Sequence, residues 1–379
     1  MAGPIRHPID LRSLESYLNT HAPHIKTPLS AQQFGYGQSN PTYLLTSTPT
    51  GAQYVLRKKP PGQLLSKTAH QVEREYKVLK ALSTAGGDVP APKVYCLCED
   101  AGVLGSAFYI MEYLNGRIFD DPSLPGVAAE ARAAMWKSAI TTLAKLHAVD
   151  PAANEGLRSF GRPNGFYGRQ IKTLSTIEAA QAATRDVKTG KEVGKVPRFE
   201  EMMKFFSTTQ PKDRSAVIHG DYKIDNLVFH PTEPYVIGIL DWELSTIGHP
   251  LSDLANLLLP WQLLLPTAAG VSVMNGDIRC FLPDATPGLP TREEAISWYA
   301  EASGWKVKRS EMLWGDAFGF VRNAIIMQGI GARVARGQAS SAKAEGYGSR
   351  VPAFAACAWR CIEMSEEERV KEERAGAKL

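Results

Sequence analysis

Residues 217–226 read VIHGDYKIDN and residues 239–243 read ILDWE, and these two short runs dictate what the rest of the chain must supply. Asp221 and Asn226 stand five residues apart and Asp241 closes an apolar run, the spacing at which phosphoryl transfer gathers a proton acceptor and two metal-holding groups. The residue types follow from that chemistry. Asp221 would accept the proton of an attacking hydroxyl, while the amide oxygen of Asn226 and the carboxylate of Asp241 would hold Mg2+ beside a phosphate. Apolar runs at 227–229 and 235–240 predict two strands that pin the ends of the loop. Alone, HGD is an ordinary turn, because Gly and Asp are turn formers. Joined to Asn226 and the DWE run, it serves one mechanism. His219 and Asp253 are expected to brace the loop rather than react, and Glu243 is open between a further Mg2+ contact and a strand-end cap.

A centre of this kind needs a nucleotide-binding lobe upstream. FGYGQSNPTYLL at 34–45 reads as strand, turn and strand, in which Gly35 and Gly37 admit a phosphate close to the backbone and Ser39 and Asn40 can donate to it. The run lacks a full glycine-rich signature, so an ordinary hairpin fits it as well. In QYVLRKK at 53–59 the two-residue period puts Val55, Arg57 and Lys59 on one strand face, and either Arg57 or Lys59 could reach phosphate. Residues 68–82 carry Val72, Tyr76, Leu79 and Leu82 at helical spacing. Glu75 lies beside that stripe as the expected partner of Arg57, with Glu73 competing. Strands are expected at 90–98 and 107–113, followed by a hinge where backbone groups of Glu112, Tyr113 and Leu114 would receive adenine.

These blocks, with VPAPKVYCLCED, FYIMEYLNGR, HGDYKIDNLVFHP, ILDWELSTIGHPLSDLANLL and FVRNAIIMQGIGARVARGQAS, resemble the aminoglycoside phosphotransferase superfamily of protein-kinase-like enzymes. The resemblance is closest to the branch that forms the kinase-like domain of some acyl-CoA dehydrogenase family proteins. It implies an α+β, two-lobed fold, with a small antiparallel-sheet lobe over residues 1–115 and a larger, mostly helical lobe over 116–379. It also implies ATP and Mg2+ as cofactors and the hydroxyl of a small molecule as acceptor, in this branch a hydroxyacyl-CoA of fatty-acid catabolism with its hydroxyl beyond the β-carbon. That branch tends to have VLR where other kinases have a lysine, so Arg57 departs only from kinases in general. Another small-molecule alcohol and a nucleotide-binding pseudoenzyme are the alternatives. The presence of Asp221, Asn226 and Asp241 speaks against the second.

Charge is more informative locally than over the whole chain. The net charge of +4 is modest, and no nucleic-acid partner is expected. Residues 158–198, however, hold nine basic side chains against Glu178, Asp186 and Glu192. That segment is either a solvated insertion, as TGKEVGK at 189–195 suggests, or a site for an anionic acceptor such as a CoA thioester. A cationic aminoglycoside would want an acidic wall instead. The apolar stretch 254–274 is interrupted by Asn256, Pro260, Gln262 and Pro266, so a buried helix end and a pocket wall are expected there rather than a membrane span. Five cysteines with no CxxC pair suggest reduced thiols and an intracellular setting. Ala377, Lys378 and Leu379 resemble the tripeptide read by the peroxisomal import receptor, which makes the peroxisome the expected location and the cytoplasm the alternative.

Overall fold

Consecutive apolar residues in TYLLTS, QYVLRK and FYIME, whose side chains point to opposite faces in turn, build a sheet that is buried on both faces. In the computed structural model, which describes residues 2–35, 40–60, 71–84, 88–263, 277–338 and 345–376, the first part of the chain forms β1 (Ala2–Gly3), α1 (Leu11–His21), β2 (Leu29–Phe34), β3 (Thr42–Ser47), β4 (Gln53–Lys58), α2 (Val72–Thr84), β5 (Val94–Cys98), α3 (Ala101–Leu104) and β6 (Phe108–Glu112). The strands pair in the order β1-β2-β3-β4-β6-β5, each neighbour antiparallel. One face sets Tyr43, Leu45, Leu56, Phe108 and Ile110 against Leu14 and Leu18 of α1. The sequence signals that helix through Asp10, whose carboxylate caps it, and through Leu11, Leu14 and Leu18 at helical spacing. Fully burying each of those two leucines stabilises the lobe by roughly 1.5–3 kcal/mol.

The opposite face carries Val55, Tyr109 and Met111 against Val72, Val78, Leu79 and Leu82 of α2 and continues into the core of the second lobe. β5 begins later than the apolar run predicts because Pro90 and Pro92 interrupt the backbone donors of that edge. Ser39 and the segment 61–70 lie outside the described residues, as do 264–276 and Ala377, Lys378 and Leu379.

The second lobe is mostly helical: α4 (Ala129–Ala148), α5 (Phe166–Ala182), α6 (Phe199–Thr208), α7 (Leu251–Leu257), α8 (Leu259–Gln262), α9 (Arg292–Ser303), α10 (Arg309–Ala335), α11 (Glu345–Gly348) and α12 (Val351–Gly376). Between α6 and α7 lie two antiparallel ribbons, in which β7 (Ala216–Ile218) pairs with β10 (Thr246–Gly248) and β8 (Leu227–Phe229) pairs with β9 (Val236–Ile239). Their connectivity decides the site. The loop after β7 leads into β8, and the turn after β9 leads into β10, so both ribbons clamp the two motif loops side by side. Long α10 packs on α5, α7 and α12, with Tyr167, Phe206, Trp314 and Phe318 forming an aromatic core between them.

The lobes are tied by polar contacts as well as by shared core. Ile239 N donates to Pro90 O at 2.9 Å, and Arg74 Nη2 donates to the carbonyls of Phe160 and Ser245. Just after β6, Arg117 and Phe229 exchange both backbone hydrogen bonds at 2.8 Å. A Cβ at neighbouring Gly116 would stand 2.3 Å from Phe229 O, so only glycine lets the connecting chain lie on β8. No helix among the described residues is long and apolar enough to cross a membrane. All five cysteines are free, and four of them are buried.

Candidate active site

Arg57, expected to share a strand face with Lys59 and to pair with Glu75, points between the lobes and is buried there. Its Nη1 lies 3.2 Å from Glu75 Oε2 on α2, and its Nη2 donates to Asp241 Oδ1 at 2.6 Å, with Glu243 Oε2 at 3.8 Å. Lys59 pairs instead with Glu73, outside this group. The two cations are thereby separated by position. Arg57 faces the motif loops, and Glu75 rather than Glu73 is its partner.

Two side chains that periodicity cannot assign complete the cluster. Tyr109 Oη donates to Glu75 Oε2 at 3.0 Å, and Asn40 Nδ2 donates to Glu75 Oε1 at 3.0 Å. Asn40 is fully buried, so its amide braces Glu75 from behind, a different position from the phosphate-facing one expected of it. Burial pushes the Glu75 carboxyl up to about 7 against the opposing pull of Arg57 and Tyr109. Arg57 itself stays a cation: burial alone would lower it, but Glu75, Tyr109 and Asp241 hold it above its usual range.

Replacing Arg57 by alanine is expected to weaken nucleotide binding by at least tenfold, because it removes a desolvated charge, whereas Lys59→Ala should stay within about twofold. Isothermal titration with ATP and Mg2+ separates the two. Equal losses would return the choice to Lys59.

Asp221 sits at the start of the loop between β7 and β8, half open to solvent. Asn226 Nδ2 donates to Asp221 O at 2.8 Å and to its Oδ2 at 3.1 Å, which fixes the carboxylate and leaves Asn226 Oδ1 as an acceptor. Asn256 Nδ2 lies 3.4 Å from the other carboxylate oxygen. His219 braces the loop, as its sequence position suggests. It accepts from Asp221 N at Nδ1 and donates through Nε2 to Leu240 O at 2.8 Å, tying the loop to the residue between β9 and Asp241.

Asp253, wholly buried on α7, accepts the backbone N–H groups of His219 at 2.6 Å and Gly220 at 2.8 Å. Burial alone would raise its pKa, but His147, His219 and these donors hold it below the usual carboxylate range. Gly220 adopts φ 85°, and a Cβ there would meet Leu244 O at 2.5 Å. Asp241 adopts φ 65° without being glycine, a conformation that costs on the order of 1–3 kcal/mol and turns its carboxylate toward Arg57.

Magnesium suits this donor set. One partly exposed carboxylate and one amide oxygen are what a hard cation takes when phosphates fill its other positions. Among the described residues no cluster of three or more His, Cys, Asp or Glu side chains would hold a metal on its own.

Beside Asp221 opens a cavity of about 240 Å3 between α5, α10 and the two loops. Phe166, Ile218, Leu244, Phe318 and Ile326 give it apolar walls, Gln170, Ser252 and Asn323 give it neutral polar groups, and Arg322 is the cation. Its one carboxylate is Asp221 itself. None of the nine basic residues of segment 158–198 lines it, so a role for that segment in holding an anionic acceptor would lie away from this cavity. Arg169 donates to nearby carbonyls, while Arg185 and Lys195 pair with Glu192 and Glu200 on the surface. Of the stretch expected to form a buried helix end and a pocket wall, Leu257, Leu258 and Leu263 are buried in the core, and 264–274 lie outside the described residues.

A family model described as phosphotransferase enzyme family matches residues 30–285. Acyl-CoA dehydrogenase family member 11 of Rattus norvegicus is 40% identical over 345 residues, which cover 89% of this chain and 41% of that protein. Acyl-CoA dehydrogenase family member 10 of Mus musculus is 38% identical over 351 residues, 92% of this chain and 30% of that one. The chain thus spans about two fifths or less of the length of these relatives. Among solved structures, a Ralstonia eutropha protein assigned to the aminoglycoside phosphotransferases superposes with a TM-score of 0.78 at 35% identity, over 94% of this chain and 99% of that one. An aminoglycoside phosphotransferase in ternary complex with streptomycin and ATP shares the fold at 14% identity, with a TM-score of 0.56 over 88% of this chain and 99% of that one.

Proposed function

The chain belongs to the phosphotransferase enzyme family, and from that premise we propose that it moves the γ-phosphoryl group of ATP onto the hydroxyl of a hydroxyacyl-CoA. The observation that carries this reading is the convergence of Asp221, Asn226, Asp241 and Arg57 on one cleft between the lobes. When bound, ATP supplies the phosphoryl group and Mg2+ offsets the charge that develops on it. Asp221 accepts the hydroxyl proton, and Asn226 holds the Asp221 carboxylate in place while offering its Oδ1 to the cation. Asp241 offers the second oxygen. Arg57, oriented by Glu75, Tyr109 and Asn40, stands where phosphate charge would be neutralised. Backbone groups of Glu112, Tyr113 and Leu114, between β6 and the second lobe, are the proposed adenine contacts.

The walls of the cavity support the choice of acceptor. A polycationic antibiotic would need several carboxylates to replace its hydration, and this cavity offers one, together with apolar surface suited to a hydrocarbon chain. The resemblance to acyl-CoA dehydrogenase family proteins points to a CoA thioester as the carrier of that chain. The test is a panel of hydroxyacyl-CoAs, aminoglycosides and simple alcohols incubated with protein, ATP and Mg2+, with products identified by mass. Phosphorylated hydroxyacyl-CoA is the expected result. Phosphorylation confined to aminoglycosides or simple alcohols would overturn the acceptor and leave the phosphotransferase.

A further inference from the structure

We propose that the seam between α5 and α10 is an elongated acceptor track leading from Asp221 to a phosphate-binding pole formed by Lys188, Arg333 and Arg336. The inference rests on Asp221 as the reacting centre. The two helices run side by side in the same direction: Tyr167 meets Phe318 near Asp221, Gln328 donates to Glu178 further along, and Arg336 Nη2 donates to Thr184 Oγ1 at 3.2 Å at the far end. The cavity beside Asp221 is the near end of that seam.

Beyond the cavity the seam keeps its character on the solvent side. On α10, Gly319, Arg322, Ile326 and Arg333 recur at spacings of three, four and seven, so they share one helix face. On α5, Gln170 and Ile177 are seven residues apart and share a flank. Ile326 and Ile177 are 45% and 39% exposed, so two large apolar side chains stay in water on adjoining helices, leading away from the reacting carboxylate.

The far end is cationic. Val187 N donates to Ala335 O at 2.9 Å, which lays the turn bearing Lys188 against the end of α10. Lys188, Arg333 and Arg336 are exposed and join no salt bridge among the described residues, although the Asp186 carboxylate, held below its usual range by the backbone N–H of Thr189 and in part by Lys188, lies beside that lysine. Arg185 and Lys195, from the same basic segment, are neutralised by Glu192 and Glu200. A helix C-terminus favours cations in any protein, which accounts for the two arginines taken alone. It does not account for the apolar side chains that precede them on the same face.

The dimensions select an occupant. At about 1.5 Å per residue, Arg322 and Arg336 are roughly 21 Å apart along α10. An extended covalent chain advances about 3.5 Å per three bonds, so that span takes on the order of 17–18 bonds. That approximates the separation, in a coenzyme A thioester, between a hydroxyl a few carbons beyond the carbonyl and the nearest phosphate. The track therefore fits an acyl thioester whose carrier ends in phosphate, lying with its hydrocarbon end at Asp221.

The test is calorimetric titration of the full chain, with its nucleotide site saturated by ADP and Mg2+, using decanoyl-CoA and decanoyl-pantetheine as probes. The double variant Arg333→Glu, Arg336→Glu should bind decanoyl-CoA on the order of tenfold more weakly or worse, bind decanoyl-pantetheine as the wild type does, and lose most of the wild type's salt dependence. Arg333→Gln with Arg336→Gln serves the same purpose if charge reversal unfolds the helix end. Equal affinity of variant and wild type for decanoyl-CoA, or no saturable binding by the wild type, would overturn the track. Charge-sensitive decanoyl-CoA binding without phosphorylation of any hydroxyacyl-CoA would instead leave the track and remove the proposed reaction.

Discussion

Asp221→Asn is expected to lower turnover by a factor on the order of 10² or more while leaving affinity for Mg-ATP close to that of the wild type. The asparagine keeps the shape of the side chain and its contact with Asn226 but cannot take the hydroxyl proton. It also replaces an acceptor of two amide hydrogen bonds, from Asn226 and Asn256, with a group half of which is a donor, so the reacting geometry loosens as well. The nucleotide cradle is untouched, because Arg57, Glu75 and Asp241 belong to other elements. Single-turnover kinetics on the identified acceptor, alongside ATP titration, separates the two quantities. Turnover near that of the wild type would remove Asp221 from the reaction.

Asp253→Ala has its largest effect on folding. The side chain accepts from two backbone N–H groups in a region from which water is excluded, and both donors lose their partner together. At roughly 1–3 kcal/mol for each orphaned group, the loss is on the order of 2–6 kcal/mol, comparable with the whole stability of many domains. The pH dependence has a definite sign. The folded pKa of Asp253 lies below the ordinary 3.8, so its contribution is fully present above that value and disappears as pH falls through the folded one. Urea unfolding should therefore show a large gap between wild type and Asp253→Ala at pH 7, narrowing below about pH 4. A gap of less than about 1 kcal/mol at pH 7 would show that the loop stands without this brace.

The candidate site was legible in outline because its parts are close in sequence and each type of side chain suits one chemistry. Asp221 and Asn226 share one loop, Asp241 follows a recognisable strand, and His219 and Asp253 lie where their bracing role could be anticipated. The small lobe was legible in outline from two-residue alternation. Alternation cannot rank Arg57 against Lys59, since both fall on one face; the partners that separate them sit on a helix and a turn far along the chain. Tyr109 reads as one more strand aromatic, and its bond to Glu75 arises only when β6 and α2 pack. Asn40 was misplaced for the same reason, because its partner is thirty-five residues away. The cavity beside Asp221 was the least legible part. Its walls come from α5, α10 and two loops, and a local excess of charge in 158–198 says nothing about which side chains turn inward.

The contact between Arg57 and Asp241 also bears on the order in which ligands arrive. Around the cleft, the carboxylates of Glu75, Asp221, Asp225, Asp241 and Glu243 outnumber the cations Arg57, Lys223 and Arg322, and Lys223 is already engaged by Asp221 and Asp225. An empty cleft of this composition repels a bare polyphosphate. It also keeps its single buried guanidinium occupied by a carboxylate that a divalent ion would have to claim. On the proposed reading the ligand that fits this cleft would be the cation–nucleotide complex: Asp241 would be a holder of the cation, and Arg57, released from that carboxylate, would be available to phosphate. Excess metal-free nucleotide should then compete only weakly with the metal complex.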